Sequence, residues 1–377
     1  MAVIDKHKKK KAMKPINIFI ALMIVALFTS CKNDEWEFPN YDYSTVYFAY
    51  QYPVRTITLG EDNLVNTDLD NEHKCKIMAT LAGVYSNDKD VKIDFVVDNS
   101  LTDHLSFEDG SVLLPMPANY YTLSSNQIVI PKGSITGGVI VQLTDAFFAD
   151  PNSNQNTYVI PLVMKNVAGA DSILQGRPKV DNPDRLKGTT DWEVLPKDYI
   201  LYAVKYINTW HANYLRRGTD IVTEDGGVAQ TIARHAQYVE KDEVCRLSTF
   251  ALNTIQFPLS NYKNQSGVNL EFKLKLDFDA EQKCTVTPFE NAYQLNENIQ
   301  IYDITASGNG KFVKRGEKNS WGNQDRNALY LDYAVSYKVE TNSGGIIDTQ
   351  TMEYNTKDTL VVRDRGVVME TFIPVKD

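Results

Sequence analysis

Along most of the chain, apolar residues recur at every second position. Residues 268–278 set Val268, Leu270, Phe272, Leu274, Leu276 and Phe278 on one side, with Asn269, Glu271, Lys273, Lys275 and Asp277 on the other. Residues 329–339 repeat the pattern, with Leu329, Leu331, Tyr333, Val335, Tyr337 and Val339 alternating against Asp332, Ser336 and Lys338. A period of two marks an antiparallel strand with one packed face and one wet face. Shorter runs predict strands at 46–50, 75–81, 91–97, 127–130, 138–143 and 158–164. They are separated by turn-forming clusters such as "SNDKD" and "DPNSNQN". No amphipathic helix of three turns is readable, so the pattern predicts an all-β protein.

The strand rhythm breaks at 176–197, where three prolines and several charges intervene, and this stretch reads as a linker. Residues 43–175, with roughly seven strands, suit an immunoglobulin-like β-sandwich. Residues 198–377, with longer and evenly spaced strands, suit a larger antiparallel β-barrel or sandwich. No internal repeat relates the halves.

The N-terminus follows a different rule. Lys6, Lys8, Lys9, Lys10, Lys11 and Lys14 precede an uncharged run from 15 to 30, "PINIFIALMIVALFTS". A basic segment before an apolar one is the plan of a secretory signal. The run falls short of the roughly 20 apolar residues a spanning helix needs. It ends at Thr29-Ser30-Cys31, where a lipobox would end, although Phe28 is bulky for its position. Residues 1–30 therefore read as a lipoprotein signal peptide, Cys31 as the lipidated residue, and 31–42 as a stalk. An ordinary signal peptide that happens to contain a cysteine is the competing reading.

Removing residues 1–30 takes six lysines and one aspartate, a net of +5, and moves the formal charge from −9 to −14. That sign opposes phosphate backbones, so nucleic acid is not an expected partner. After Cys31 only Cys75, Cys245 and Cys284 remain; Cys245 and Cys284 either pair in an oxidising compartment or stay as buried thiols. His73, His104, His211 and His235 show no zinc-ligand spacing, and no GxSxG or P-loop occurs. No motif calls for a cofactor. The acidic stretch 62–73, "DNLVNTDLDNEH", lacks the ligand spacing of an EF-hand and reads as a solvated loop.

Residues 117–147, "PANYYTLSSNQIVIPKGSITGGVIVQLTDAF", and 156–174, "NTYVIPLVMKNVAGADSIL", resemble a recurrent N-terminal domain of Bacteroidetes surface lipoproteins. Residues 199–220, "YILYAVKYINTWHANYLRRGTD", and 308–339, "GNGKFVKRGEKNSWGNQDRNALYLDYAVSYKV", are similar to the β-rich C-terminal domain that accompanies it. Lys32-Asn33-Asp34-Glu35 resembles the acidic signal that exports such lipoproteins to the cell surface. The resemblance implies a lipid-anchored outer-membrane protein of a polysaccharide-utilisation locus, with Sus-type transport proteins as neighbours. It implies glycan binding without catalytic residues. Adhesin or fimbrial-type subunits share this two-domain plan and are the alternative; they need an edge that accepts a donor strand.

A glycosidase is the third reading, since related N-terminal domains occur fused to family-18 enzymes. Their D-x-x-D-x-D-x-E strand is matched here by Asp277, Asp279 and Glu281, but its first position is Leu274. The alternation puts Asp277 on the wet face, and the chain has no room for eight βα units. For sugar binding, the chemistry sought is a flat aromatic face beside planar hydrogen-bonding groups. Two loops supply it: Trp210, Tyr214 and Arg216 in "INTWHANYLRRG", and Trp321, Asn323 and Arg326 in "GEKNSWGNQDRN". The competing role for each tryptophan is to plug a barrel end. Trp36 and Trp192 fall in the stalk and the linker.

Overall fold

We analysed a computed structural model, which describes residues 40–263 and 269–376. The stretch expected to be a signal peptide, Cys31 and Trp36 lie outside the described residues. The chain is all-β, and the predicted alternations form strands. Asn269–Phe278 and Gln324–Ser343 carry the two long patterns, with Val268 of the first outside the described residues, and Val91–Val97 and Gln127–Ile130 fall where expected.

The first region is a sandwich of two sheets. One has the order Ser172–Ile173, Thr45–Tyr47, Lys74–Ala82, Thr136–Leu143, Tyr121–Leu123. The other runs Glu370–Thr371, Pro53–Thr58, Tyr199–Ile207, Tyr158–Ala168, Val91–Val97, Gln127–Ile130, with Leu114–Pro115 beside Tyr158–Ala168. Between them Val46, Phe48, Ile57, Ile77, Ile93, Ile128, Val141 and Ile160 are fully or almost fully buried.

The sandwich therefore does not end at 175. Strand Tyr199–Ile207 lies inside its second sheet, antiparallel to Tyr158–Ala168 and parallel to Pro53–Thr58. Both faces of this strand are covered. Ile200, Tyr202, Val204 and Tyr206 enter the inter-sheet core, while Leu201 and Ala203 pack with Leu105, Phe107, Leu113 and Phe372 on the outer side. The C-terminus returns to finish the job. Glu370–Thr371 pairs with Pro53–Thr58, and Pro374–Lys376 pairs with Leu105–Phe107. The returning chain thus pairs with the start of the Pro53–Thr58 edge, at Pro53 and Val54.

Residues 176–197 are not an inter-domain linker. They fold onto the sandwich, where Trp192 is buried with its Nε1 donating to the Asp184 carbonyl (2.9 Å) and Arg185 pairs with buried Asp198 (3.0 Å). The passage to the second region comes later, at Asn208. Its side-chain amide donates to the Ala251 (2.9 Å) and Thr254 (3.0 Å) carbonyls, and its Oδ1 accepts the backbone N–H of Trp210 and His211.

The second region is a ten-stranded antiparallel sheet. With Gln230–Arg234 and Tyr293–Asn296 set aside as flanking strands, the other eight described strands form a closed ring. They follow chain order from Ala212–Glu224 to Ile346–Asp364, and the last pairs back onto the first. Closure removes the edges. A ring of this size is just wide enough for side chains to fill, and Leu247, Ile255, Phe257, Phe272, Leu274, Leu331, Tyr337 and Leu360 occupy it. Cys245 and Cys284 are free thiols in this core, and burial pushes both up to about 12.

Candidate functional site

The first tryptophan loop is interior. Trp210 is 4% exposed and stacks on Phe278, centroids 4.0 Å apart and planes 9° from parallel, with its Nε1 donating to Gln282 (3.1 Å). It closes the barrel end next to the sandwich. Tyr214 is fully buried and donates to the Trp210 carbonyl (2.7 Å). Arg216 also points inward, because residues 214, 216, 218 and 220 share one strand face. Its Nη2 lies 2.9 Å from Asp358, which also accepts from Tyr333 (2.9 Å) and from Arg234 (2.7 Å). Asp220 holds the other end of Arg234 (2.5 Å) and accepts from Thr356 (2.7 Å). Gly218 makes the room: a Cβ there would sit 2.4 Å from an Asp358 carboxylate oxygen. Trp210, Tyr214 and Arg216 are therefore core residues, not a sugar platform.

The second loop is different. The chain turns at Trp321–Asn323 between Ile299–Ser320 and Gln324–Ser343. Gly322 (φ 70) and Asn323 (φ 54) take the left-handed backbone the turn requires, a conformation open to glycine and tolerated by asparagine. Asn323 is thus a turn residue. Trp321 is half-buried and tied by its Nε1 to the Val362 carbonyl (3.2 Å). The Arg326 guanidinium lies over the indole, 3.6 Å from its centroid, and its Nε donates to the Trp321 carbonyl (3.2 Å). One face of the indole is taken by this contact, which leaves the rest of its exposed surface open.

Trp321 and Arg326 line a cleft of about 390 Å³ in the seam between the two regions. Gln324 and Asn327 continue that wall. Glu61, Asp62, Asn63 and Leu64 form the opposite side, from the sandwich, and residues 362–365 form the floor. A larger depression of about 570 Å³ on the barrel wall, lined by Lys283, Lys311, Tyr330 and Lys357 among others, is shallower. Neither Leu64, 82% exposed, nor its neighbours carried any sign in the sequence that they face Trp321.

The seam is held by Arg365, which is 5% exposed. It donates to four carbonyls: Leu59 (3.0 Å) and Glu61 (3.0 Å) in the sandwich, Asn208 (2.7 Å) at the crossing, and His211 (2.7 Å) in the barrel. Burial lowers its pKa below the usual arginine value. His211 is buried beside it and takes the Thr249 backbone N–H on Nδ1 (3.0 Å). Burial, then the Arg365, Arg246 and Lys205 charges, push this imidazole down to about 3, so it is neutral. Gly60 (φ 87) lets the two backbones meet, since a Cβ there would lie 2.9 Å from Thr209.

The acidic stretches have other partners. Asp70, within 62–73, accepts from Arg55 and from the Thr58 N–H (2.9 Å) and fixes that loop to the sheet. Asp277 is half-exposed, as the alternation predicted, and paired with Lys275 (3.2 Å) and Thr254 (2.6 Å). Asp279 accepts the Lys283 N–H (2.8 Å) in the hairpin turn.

Fold and cleft together define an all-β protein of two interlocked regions with a cleft in the seam between them. Residues 41–171 match a family model for an N-terminal domain, and residues 209–366 match the domain of unknown function DUF5627. A Bacteroides ovatus protein of unknown function, known from a crystal structure at 2.40 Å, is 47% identical. That match covers 89% of this chain and 100% of the other, with a TM-score of 0.77. The chain belongs to the family of that protein, with DUF5627 as its second domain. Two further solved structures align at low similarity. A multidomain protein including DUF1735 from Bacteroides ovatus is 12% identical, over 86% of this chain and 97% of that one, with a TM-score of 0.38. An auxiliary nutrient binding protein from Bacteroides thetaiotaomicron is 16% identical, over 82% and 90%, with a TM-score of 0.35. Similarity at that level carries no argument about function. No curated protein matches the chain.

Proposed function

We propose that this chain is a non-catalytic glycan-binding lipoprotein, anchored through Cys31 on the outer face of the outer membrane. It would hold an oligosaccharide or polysaccharide for Sus-type transport proteins beside it. The observation that carries the reading is the seam cleft, where a fixed indole edge and the side chains of Asn63, Gln324, Asn327 and Arg326 converge on a space large enough for a few sugar units. Sugar recognition needs that combination of flat apolar surface and planar hydrogen-bonding groups. Tethering many copies on one membrane raises the local glycan concentration even when each contact is weak.

Affinity electrophoresis of the full chain through polysaccharide-containing gels tests the site. A polymer that retards the wild type should fail to retard a folded Trp321→Ala variant. Equal retardation of the two would place the glycan elsewhere. The anchor is tested separately: Cys31→Ala should abolish palmitate labelling, and labelling equal to wild type would remove the lipid assignment.

A further inference from the structure

One charge in the cleft stands apart from the rest. Arg326 is 7% exposed, and what remains exposed lines the cleft. Its contacts are the Trp321 ring and the Trp321 carbonyl, and no carboxylate pairs with it among the described residues. The acids around the cleft are engaged otherwise. Glu61 pairs with Lys314 (2.9 Å), Asp62 accepts the Leu64 N–H (2.8 Å), and Asp364 takes the Asn213 amide (2.6 Å) and lies 3.5 Å from Arg363. Buried cations in proteins are ordinarily paired. Desolvation lowers the Arg326 pKa, with no opposing contribution from a nearby acid. The turn also keeps the guanidinium clear: Gly322 stands beside Nη2, and a Cβ in its place would press on it at 3.1 Å.

Resting on the glycan reading above, we infer that the cleft takes an acidic sugar, a hexuronate unit whose carboxylate pairs with the Arg326 guanidinium. The planar fork of arginine matches a carboxylate in two parallel hydrogen bonds. Stacking on the indole fixes the fork's plane before the ligand arrives. Trp321 then positions Arg326 as well as meeting the sugar. The net negative charge of the chain repels polyanions at long range, but salt screens that repulsion more than it screens a buried pair.

The test uses the full chain and two sets of gels. One set holds polygalacturonate, alginate or hyaluronan, with chondroitin sulfate as a sulfated companion; the other holds xyloglucan, mixed-linkage β-glucan or mannan. The expected result is retardation by at least one uronate polymer. Reducing its carboxyls to hydroxymethyl groups should weaken binding at least tenfold, with the wild-type protein unaltered. Arg326→Gln should cause a comparable loss, and Arg326→Lys, which keeps the charge without the fork, a smaller one. If Arg326→Gln fails to fold, the carboxyl-reduced polymer still decides. Retardation by a neutral polymer that Arg326→Gln leaves unchanged overturns the acidic-sugar inference and leaves the glycan reading standing. So does equal binding before and after carboxyl reduction. Retardation by chondroitin sulfate but by no sulfate-free uronate assigns the site to a sulfate ester and overturns the carboxylate pairing. Failure of every polymer in both sets counts against the glycan reading itself, and the uronate assignment falls with it.

Discussion

The barrel and the sandwich reach the same strand chemistry by opposite routes. The barrel is local: its eight ring strands follow one another in the chain, and the last pairs with the first. The sandwich is collected from three separate stretches, with Tyr199–Ile207 near the middle of one sheet, Glu370–Thr371 on its edge and Pro374–Lys376 in a small separate sheet with Leu105–Phe107. The chain leaves the sandwich, builds the whole barrel and returns. The barrel strands can therefore pair without the sandwich, whereas the sandwich draws on segments from both sides of the barrel.

Cutting the chain gives the largest expected effect. A fragment of residues 208–366 should be soluble, with dispersed amide resonances. A fragment begun at 191, where the composition suggests a boundary, carries Tyr199–Ile207 with no partner strand and should aggregate. A soluble, folded 43–198 fragment would show that the sandwich does not need its central strand.

Inside the barrel, Asp358→Ala should cost about 4 kcal/mol, because it leaves buried Arg216, and half-buried Arg234, without their shared carboxylate. Urea midpoints at constant slope would measure it. At the seam, Arg365→Leu strips a donor from four carbonyls and should cost about 3 kcal/mol. It should also split a single calorimetric transition into two, sandwich and barrel. A single transition at unchanged temperature would mean Arg365 does not couple the regions.

A smaller effect depends on pH. His211 is held down to about 3 in the folded chain, against an ordinary value of 6.5. Between those values the unfolded chain binds the extra proton, so stability falls as pH is lowered through the window. At pH 5 the loss from this group amounts to about 2 kcal/mol. His211→Gln should lose that much less than wild type between pH 7.5 and 5; parallel pH profiles would remove His211 as the cause.

The two regions also differed in how far the sequence disclosed them. Barrel strands with one wet face announce themselves by alternation, as Asn269–Phe278 does with its strictly alternating buried and exposed positions. Tyr199–Ile207 is covered on both sides, so it reads as an apolar run interrupted by Lys205 alone, with no period to say which sheet it joins. The returning strands Glu370–Thr371 and Pro374–Lys376 are too short to show a pattern. Arg216 looked like a surface arginine because the carboxylate that neutralises it lies 142 residues away. A glycine at 218, in the middle of a strand, was the available hint of a close approach. For Trp210 and Trp321 the same local composition produced opposite fates. One is a plug against Phe278, and the other is held at a turn beside a loop some 260 residues earlier in the chain.

That last pairing is where the two regions meet, and it is the centre of the account. Hydrogen–deuterium exchange of the full chain, with and without saturating oligosaccharide cut from the best-retained polymer, tests it most directly. Slowed exchange is predicted on both walls together, at 61–64 of the sandwich and at 321–327 of the barrel, with 362–365 between them. Protection confined to one region, or to the barrel wall around Lys311 and Lys357, would contradict a binding site in the seam.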